Sequence, residues 1–238
     1  ELAKRTYAQT VAYVRGDWFV SYVSQPPLYY RALFKKYDVR TTHELEKFLN
    51  VDTFEQLFKT YEARRAIFHR SGVTNYNRIV DHYELEFWIG GVKYPSSYWK
   101  TYDVKNDKAQ EKKNLFAFPF GPLYSWYTNF FAFLKDKTFV FDANEIIWTN
   151  PNGTLGFFLA DGNEKRIDEA LTEVAYHKSN KDPYIGSKQG AILAGVSCFA
   201  CHTAMNNFVD DGRRNVLAST DFDNEEVDYA SLIMFKNQ

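Results

Sequence analysis

Two cysteines and a histidine stand together in the run Cys198-Phe199-Ala200-Cys201-His202, and the chain has no other cysteine. Residues three and four apart share one side of a helical turn. Two thiols so placed can add to the two vinyl groups on one edge of a porphyrin, and the histidine that follows can set its imidazole under the iron. This is the C-x-x-C-H pattern of covalent haem attachment. The spacing therefore predicts one covalent haem c, held by Cys198 and Cys201, with His202 as the proximal iron ligand.

Three other chemistries use a Cys-x-x-Cys pair. A thioredoxin-like redox pair expects a strand before it and a helix onset around it. A zinc site needs about four ligands, and no further cysteine is present to complete one. A disulfide across two residues is strained and closes almost no loop. Only haem attachment uses both cysteines and the histidine beside them.

The sixth iron position separates electron transfer from gas binding or peroxide chemistry. Its candidates are His43, His69, His82, His177, Met205 and Met234. Met205 follows His202 by three residues, too near to reach the other side of the ring. His43 falls in a helix-capping region. His69 and His177 fall at expected helix ends, where a cation suits the dipole. His82 lies between Asn77-Arg78 and an aromatic stretch, and it is the favoured distal ligand against the ordinary alternative of a core or surface histidine. Arg78 is a candidate partner for a haem propionate, because a guanidinium pairs bidentately with carboxylates.

The elements that must position these residues belong to a densely packed chain. Of its 238 residues, 18% are aromatic and 45% hydrophobic, which excludes a disordered chain. Core packing explains most of these aromatics; some could line a large flat cofactor. A net charge of -1 gives no footprint for nucleic acid or for an anionic membrane. Residues 115–134 carry no charge over about a membrane-helix length, but Pro119, Gly121 and Pro122 make a poor spanning helix, so no transmembrane helix is expected. The opening stretch is polar and lacks the form of a secretory leader, as a processed chain would. Covalent haem attachment takes place outside the cytoplasm, which predicts a periplasmic, cell-surface or extracellular location.

Along the chain, Pro26-Pro27 precedes a short apolar helix over residues 28–34. Thr41-Thr42-His43-Glu44 and Thr53-Phe54-Glu55-Gln56 both have capping-box spacing, each followed by an apolar stripe. Gly90-Gly91 marks a turn. Residues 138–141, 145–148 and 155–160 read as short strands, with a turn at Asn150-Pro151-Asn152-Gly153. A helix is expected over 167–177. The expected fold is α+β and predominantly helical, with a short antiparallel β-hairpin before a C-terminal haem-attachment segment. One haem c domain covers 1–238: a mainly helical aromatic part, 1–135, then hairpin, helix and haem-binding part, 136–238.

A class I cytochrome c places its attachment motif near the start, with a methionine ligand and a closing helix after it. Here the motif begins at Cys198, and only four residues follow Met234. Late motifs occur in the cytochrome c′ and P460 families, but the expected strands oppose a simple c′ bundle. Longer stretches resemble another group. They are Arg15-Gly16-Asp17-Trp18-Phe19-Val20, Pro26-Pro27-Leu28-Tyr29, Ser71-Gly72-Val73-Thr74-Asn75-Tyr76-Asn77-Arg78 with His82, and Tyr98-Trp99-Lys100-Thr101-Tyr102-Asp103. Glu145 to Gly153, Arg166-Ile167-Asp168 and Val196-Ser197-Cys198 complete the set. Together they resemble largely uncharacterised secreted mono-haem c-type cytochrome proteins of planctomycetes and related bacteria. The resemblance spans most of residues 10–205. It implies the haem and export, and brings no particular reaction. Phe199-Ala200 and Thr203-Ala204 depart from that group's pattern, outside the ligands.

The functional expectation is electron transfer between redox partner proteins. The alternatives are a haem c enzyme or gas sensor with an open distal site, P460-like or peroxidase-like, and a haem subunit of a larger membrane or surface redox complex. No GxGxxG or P-loop spacing points to nucleotide chemistry.

Overall fold

The computed structural model describes residues 14–56, 60, 63–68, 77–104, 141–170 and 190–202, with backbone alone at 64–68 and 77. Two long strands dominate them. β2 (Asn77–Ile89) and β3 (Val92–Val104) form a hairpin closed by Gly90-Gly91. Both glycines take positive φ, 58° and 80°, as a two-residue hairpin turn requires. β1 (Arg64–Phe68) pairs with β2, and β4 (Ala143–Thr149) and β5 (Leu155–Asp161) follow β3 in order. Every pairing is antiparallel.

Side-chain alternation gives this sheet two different faces. On β2, Ile79, Asp81, Tyr83 and Leu85 are buried, while His82 is half-buried and Glu84 exposed. The register aligns Tyr83 with Tyr98 and Tyr98 with Trp148, so one face carries Tyr83, Tyr98, Lys100, Tyr102, Ile146, Trp148 and Phe158. The other face carries Arg78, His82, Trp99, Asp103, Glu145, Ile147 and Phe157.

Two of the three helices that precede the sheet pack on its first face; the other has no buried residue. α1 (Gly16–Val23), α2 (Leu28–Phe34) and α3 (Thr42–Leu49) precede the sheet in sequence. Thr42, Leu45, Glu46 and Leu49 form the buried stripe of α3, at helical spacing. Its start carries the expected capping box: Thr41 Oγ1 accepts from the Glu44 N–H, and the Glu44 carboxylate accepts from the Thr41 N–H. Burial of a side chain such as Leu45 stabilises by about 1.5–3 kcal/mol. α2 lies along the outer edge of β5. The Tyr29 hydroxyl accepts from the Phe157 N–H at 2.7 Å and donates to the Phe157 carbonyl at 3.0 Å. Tyr30 makes the equivalent bond from the Leu159 N–H at 3.3 Å. These phenols close an edge that would otherwise offer free ladder groups.

The fold is therefore not predominantly helical. The described residues are 29% helix and 39% strand, and β1, β2 and β3 all fall inside the segment expected to be mainly helical. The short hairpin of the sequence reading is real, as β4 and β5 joined through residues 150–154, but it is the far end of a larger meander. The charges explain the miss. Asp81 and Lys100 occupy the buried face at 0% and 1% exposure, so the period-2 pattern of apolar residues is broken on both long strands. Residues 167–170 are not helical either. Ala170 donates to the Ile192 carbonyl at 2.8 Å, and Glu169 bridges to Leu193. The rest of that expected helix, residues 171–177, lies outside the described residues, as do 105–140.

Candidate functional site

The Cys-x-x-Cys-His run forms one short helix, α4 (Val196–Cys201), with His202 at its C-terminal cap. Its entry is fixed by Gly195, at φ 84°. A Cβ there would collide with the Ser24 carbonyl oxygen and the Tyr29 ring, so only glycine lets α4 seat against the corner between α1 and α2. The Val196 N–H donates to the Ser24 carbonyl at 2.9 Å, and the Ala194 N–H to the Asp168 carbonyl at 3.0 Å. Inside the turn, the His202 N–H donates to the Cys198 carbonyl at 2.8 Å. Cys198, Cys201 and His202 thus share one side of the turn.

Phe199 anchors α4 to the sheet. Its ring meets Phe157 edge-on at 4.9 Å and Tyr29 at 6.3 Å. The His202 imidazole lies 5.7 Å from the same Phe157 ring. Cys198 is half-buried and Cys201 exposed, and neither forms a disulfide. Burial pushes the Cys198 thiol up to about 12, with the Glu145 carboxylate adding to it. The same two causes raise Cys201. A reactive redox cysteine needs the reverse, a thiol held low. Burial is also the largest influence on His202 and lowers its pKa, so its imidazole is neutral near pH 7. Two thiols and a neutral imidazole on one side of a turn, beside the Phe157 ring, are a donor set that could take a covalent haem.

Beneath α4 the sheet carries charge. The Arg78 guanidinium donates to both Asp103 oxygens at 2.5 and 2.9 Å and to Glu145 Oε2 at 2.9 Å. The Asp103 side chain is wholly buried, and Arg78 and Glu145 are 10% and 19% exposed. Burial pushes the Asp103 carboxyl up to about 6; Arg78 opposes that, and the neighbouring Glu145 charge adds to it.

The structure brings several expected residues onto one face. Arg78 sits on β2, already holding two carboxylates. His82 lies two steps along the same face, its ring 5.2 Å from Trp99. The register runs His82, Trp99, Ile147, Phe157 across four neighbouring strands, so His82 and Phe157 are separated by ~14 Å of strand spacing. His82 thus stands at one end of this row and His202 at the other. His43 is exposed on α3. His69, His177, Met205 and Met234 lie outside the described residues. Sequence reasoning missed Asp103, Glu145, Phe157 and Gly195. Glu145 alone had a legible signal, a carboxylate opening the apolar run Ile146-Ile147-Trp148. Among the described residues, no group of three or more His, Cys, Asp or Glu side chains converges as a metal site.

No family model matches this chain, and neither a curated protein nor a solved structure matches it.

Proposed function

We propose that this chain is a mono-haem c-type cytochrome that passes single electrons between redox partner proteins, in the periplasm or at the cell surface or beyond it. The observation that carries the reading is α4 itself, which presents both cysteines and the histidine on one side of a turn backed by Phe157 and Phe199. When bound, the haem supplies a one-electron iron couple. The chain's residues do the rest: Cys198 and Cys201 would hold the ring edge, and His202 would ligate the iron as a neutral imidazole. Phe157 covers the imidazole's sheet side. The resemblance to secreted planctomycete mono-haem proteins supports the same cofactor and location. Net charge -1 gives nucleic acid no attraction. Among the described residues, no helix is long and apolar enough to cross a membrane.

A second reading is favoured by one observation. His82, the proposed distal ligand, sits at the far end of the row from Phe157, where its ring lies tilted against Trp99 at 5.2 Å. An open sixth position would suit a gas sensor or a P460-like or peroxidase-like enzyme.

Visible spectra of the purified protein, oxidised and reduced, with and without carbon monoxide, separate these readings. A pyridine adduct that survives denaturation is expected from covalent haem; its absence would end the cytochrome reading. A low-spin reduced spectrum untouched by carbon monoxide, turning high-spin in His82→Ala, supports electron transfer with His82 as ligand. A high-spin spectrum that shifts with carbon monoxide would move the protein to the open-site class.

A further inference from the structure

We propose that the Arg78–Asp103–Glu145 cluster couples electron uptake to proton uptake, so that reduction of an iron ligated by His202 would draw one proton into the sheet. The proposal rests on the cytochrome reading and assigns a regulation to that same site.

Geometry places the cluster within reach of the iron ligand's field. Glu145 and Ile147 are neighbours on one face of β4; Ile147 pairs with Phe157, and the His202 ring packs 5.7 Å from Phe157. Two ionised carboxylates surround one guanidinium, so the buried cluster carries one net negative charge. Glu145 Oε1 is buried and has no hydrogen-bond partner among the described residues. A proton taken up by the Asp103 carboxylate would neutralise the cluster. Arg78 reaches it from β2, Asp103 from β3 and Glu145 from β4, and Asp142 adds a further negative influence on Asp103. From α4, Cys198 and Cys201 face it as neutral thiols, or as neutral thioethers once the haem is attached. His202 feels the charges of both Glu145 and Arg78.

With a haem bound, one electron from a one-electron donor protein would take one positive charge from its iron, and the Asp103 carboxylate would then bind a proton from solvent water more tightly. Glu145, 19% exposed, provides the route to that water. The Asp103 carboxyl is pushed up to about 6, which puts the transition in an accessible range. The proton is bound more tightly in the reduced state, so the potential falls as pH rises through this window.

The test is a potentiometric titration of the haem-loaded protein from pH 5 to 8, read from its visible band. A one-electron, one-proton couple falls by up to about 59 mV per pH unit, and a slope approaching that is expected near pH 6. Glu145→Gln and Asp103→Asn should each flatten it. Glu46→Gln, on the opposite face, should leave it in place, which a merely structural effect of losing a buried carboxylate would not predict. Covalent haem with a potential independent of pH from 5 to 8 overturns this inference and leaves the cytochrome reading intact. So does a slope unchanged in both cluster variants. If the purified protein gives no pyridine adduct, the cytochrome reading fails and this inference falls with it.

Discussion

Each face of the sheet buries a cation held by two carboxylates, and the two triads join different things. On the helix-covered face, Lys100 Nζ donates to Glu46 at 2.9 Å and to Glu164 at 2.8 Å. Those partners come from α3 and from the turn after β5, so this triad ties one layer to the other. On the α4 face, Arg78, Asp103 and Glu145 come from three adjacent strands whose order the backbone ladder already sets. A buried ion pair gives weak stabilisation compared with apolar residues of similar size. The first triad earns its place by fixing where α3 docks. The second adds nothing to topology, and its charge lies under the residues that would ligate a redox metal. That contrast argues for a structural role on one side and an electrostatic one on the other.

Removing Lys100 should break the contrast hardest. Lys100→Met leaves Glu46, 4% exposed, without its cation, and should cost about 3–5 kcal/mol, read from the urea midpoint. The visible spectrum of the haem-loaded protein should not change, because the loss falls on the other face. A spectral change would mean that the two faces are not independent.

The α4-side triad should declare itself through pH. Folding raises Asp103 from its ordinary 3.8 to about 6, so the folded chain binds the extra proton more tightly than the unfolded one. The resulting stability is fully present below about pH 4 and is lost as pH rises through 6, a swing of up to about 3 kcal/mol. Asp103→Asn cannot titrate. The stability difference between wild type and this variant should therefore move in that direction between pH 4 and 7, measured by denaturant unfolding at each pH. A difference constant across that range would remove the titrating group from Asp103.

The sequence was most legible where structure is local. The Thr41 capping box, the Gly90-Gly91 turn, the 28–34 helix and the 150–153 turn each depend on a few adjacent residues, and each is present. The second expected cap shifts by one residue, since Asp52 rather than Thr53 accepts from the Glu55 N–H. What stayed hidden depends on pairing at a distance. β2 and β3 place Asp81 and Lys100 inward; the Tyr83 hydroxyl two residues on donates to Asp81, but nothing near Lys100 says that Glu46 and Glu164 will arrive from elsewhere in the chain. The same holds for the site. Cys198, Cys201 and His202 are proposed from their spacing, whereas Asp103 and Glu145 join Arg78 only once three strands have aligned. Phe157 gains its importance from a helix about forty residues later.

A smaller effect tests how α4 is held. Gly195→Ala meets both an unfavourable positive φ and a collision with the Ser24 carbonyl, and should destabilise by about 2–3 kcal/mol. It should also lower the yield of attached haem, measured by the pyridine adduct per chain. Lys100→Met should not lower that yield in the protein that still folds. Equal losses of yield in the two variants would tie haem attachment to global stability rather than to the seating of α4.

The smallest predicted effect is also the finest probe of the helix-side triad. Thr41→Ala removes the hydroxyl that accepts from the Glu44 N–H at 3.2 Å and should cost about 1 kcal/mol. Glu46 lies in the turn that this cap secures, so a loosened α3 start should hold Glu46 less firmly against Lys100. The two changes are then not independent. A double-mutant cycle of Thr41→Ala with Lys100→Met should show a coupling above about 0.5 kcal/mol, because once Lys100 is gone the cap no longer helps to position its partner. The same cycle run with Asp103→Asn should be additive, since Asp103 faces α4 and shares no partner with α3. Coupling in both cycles would mean that the sheet transmits strain between its faces, and coupling in neither would mean that α3 is held by its apolar stripe alone.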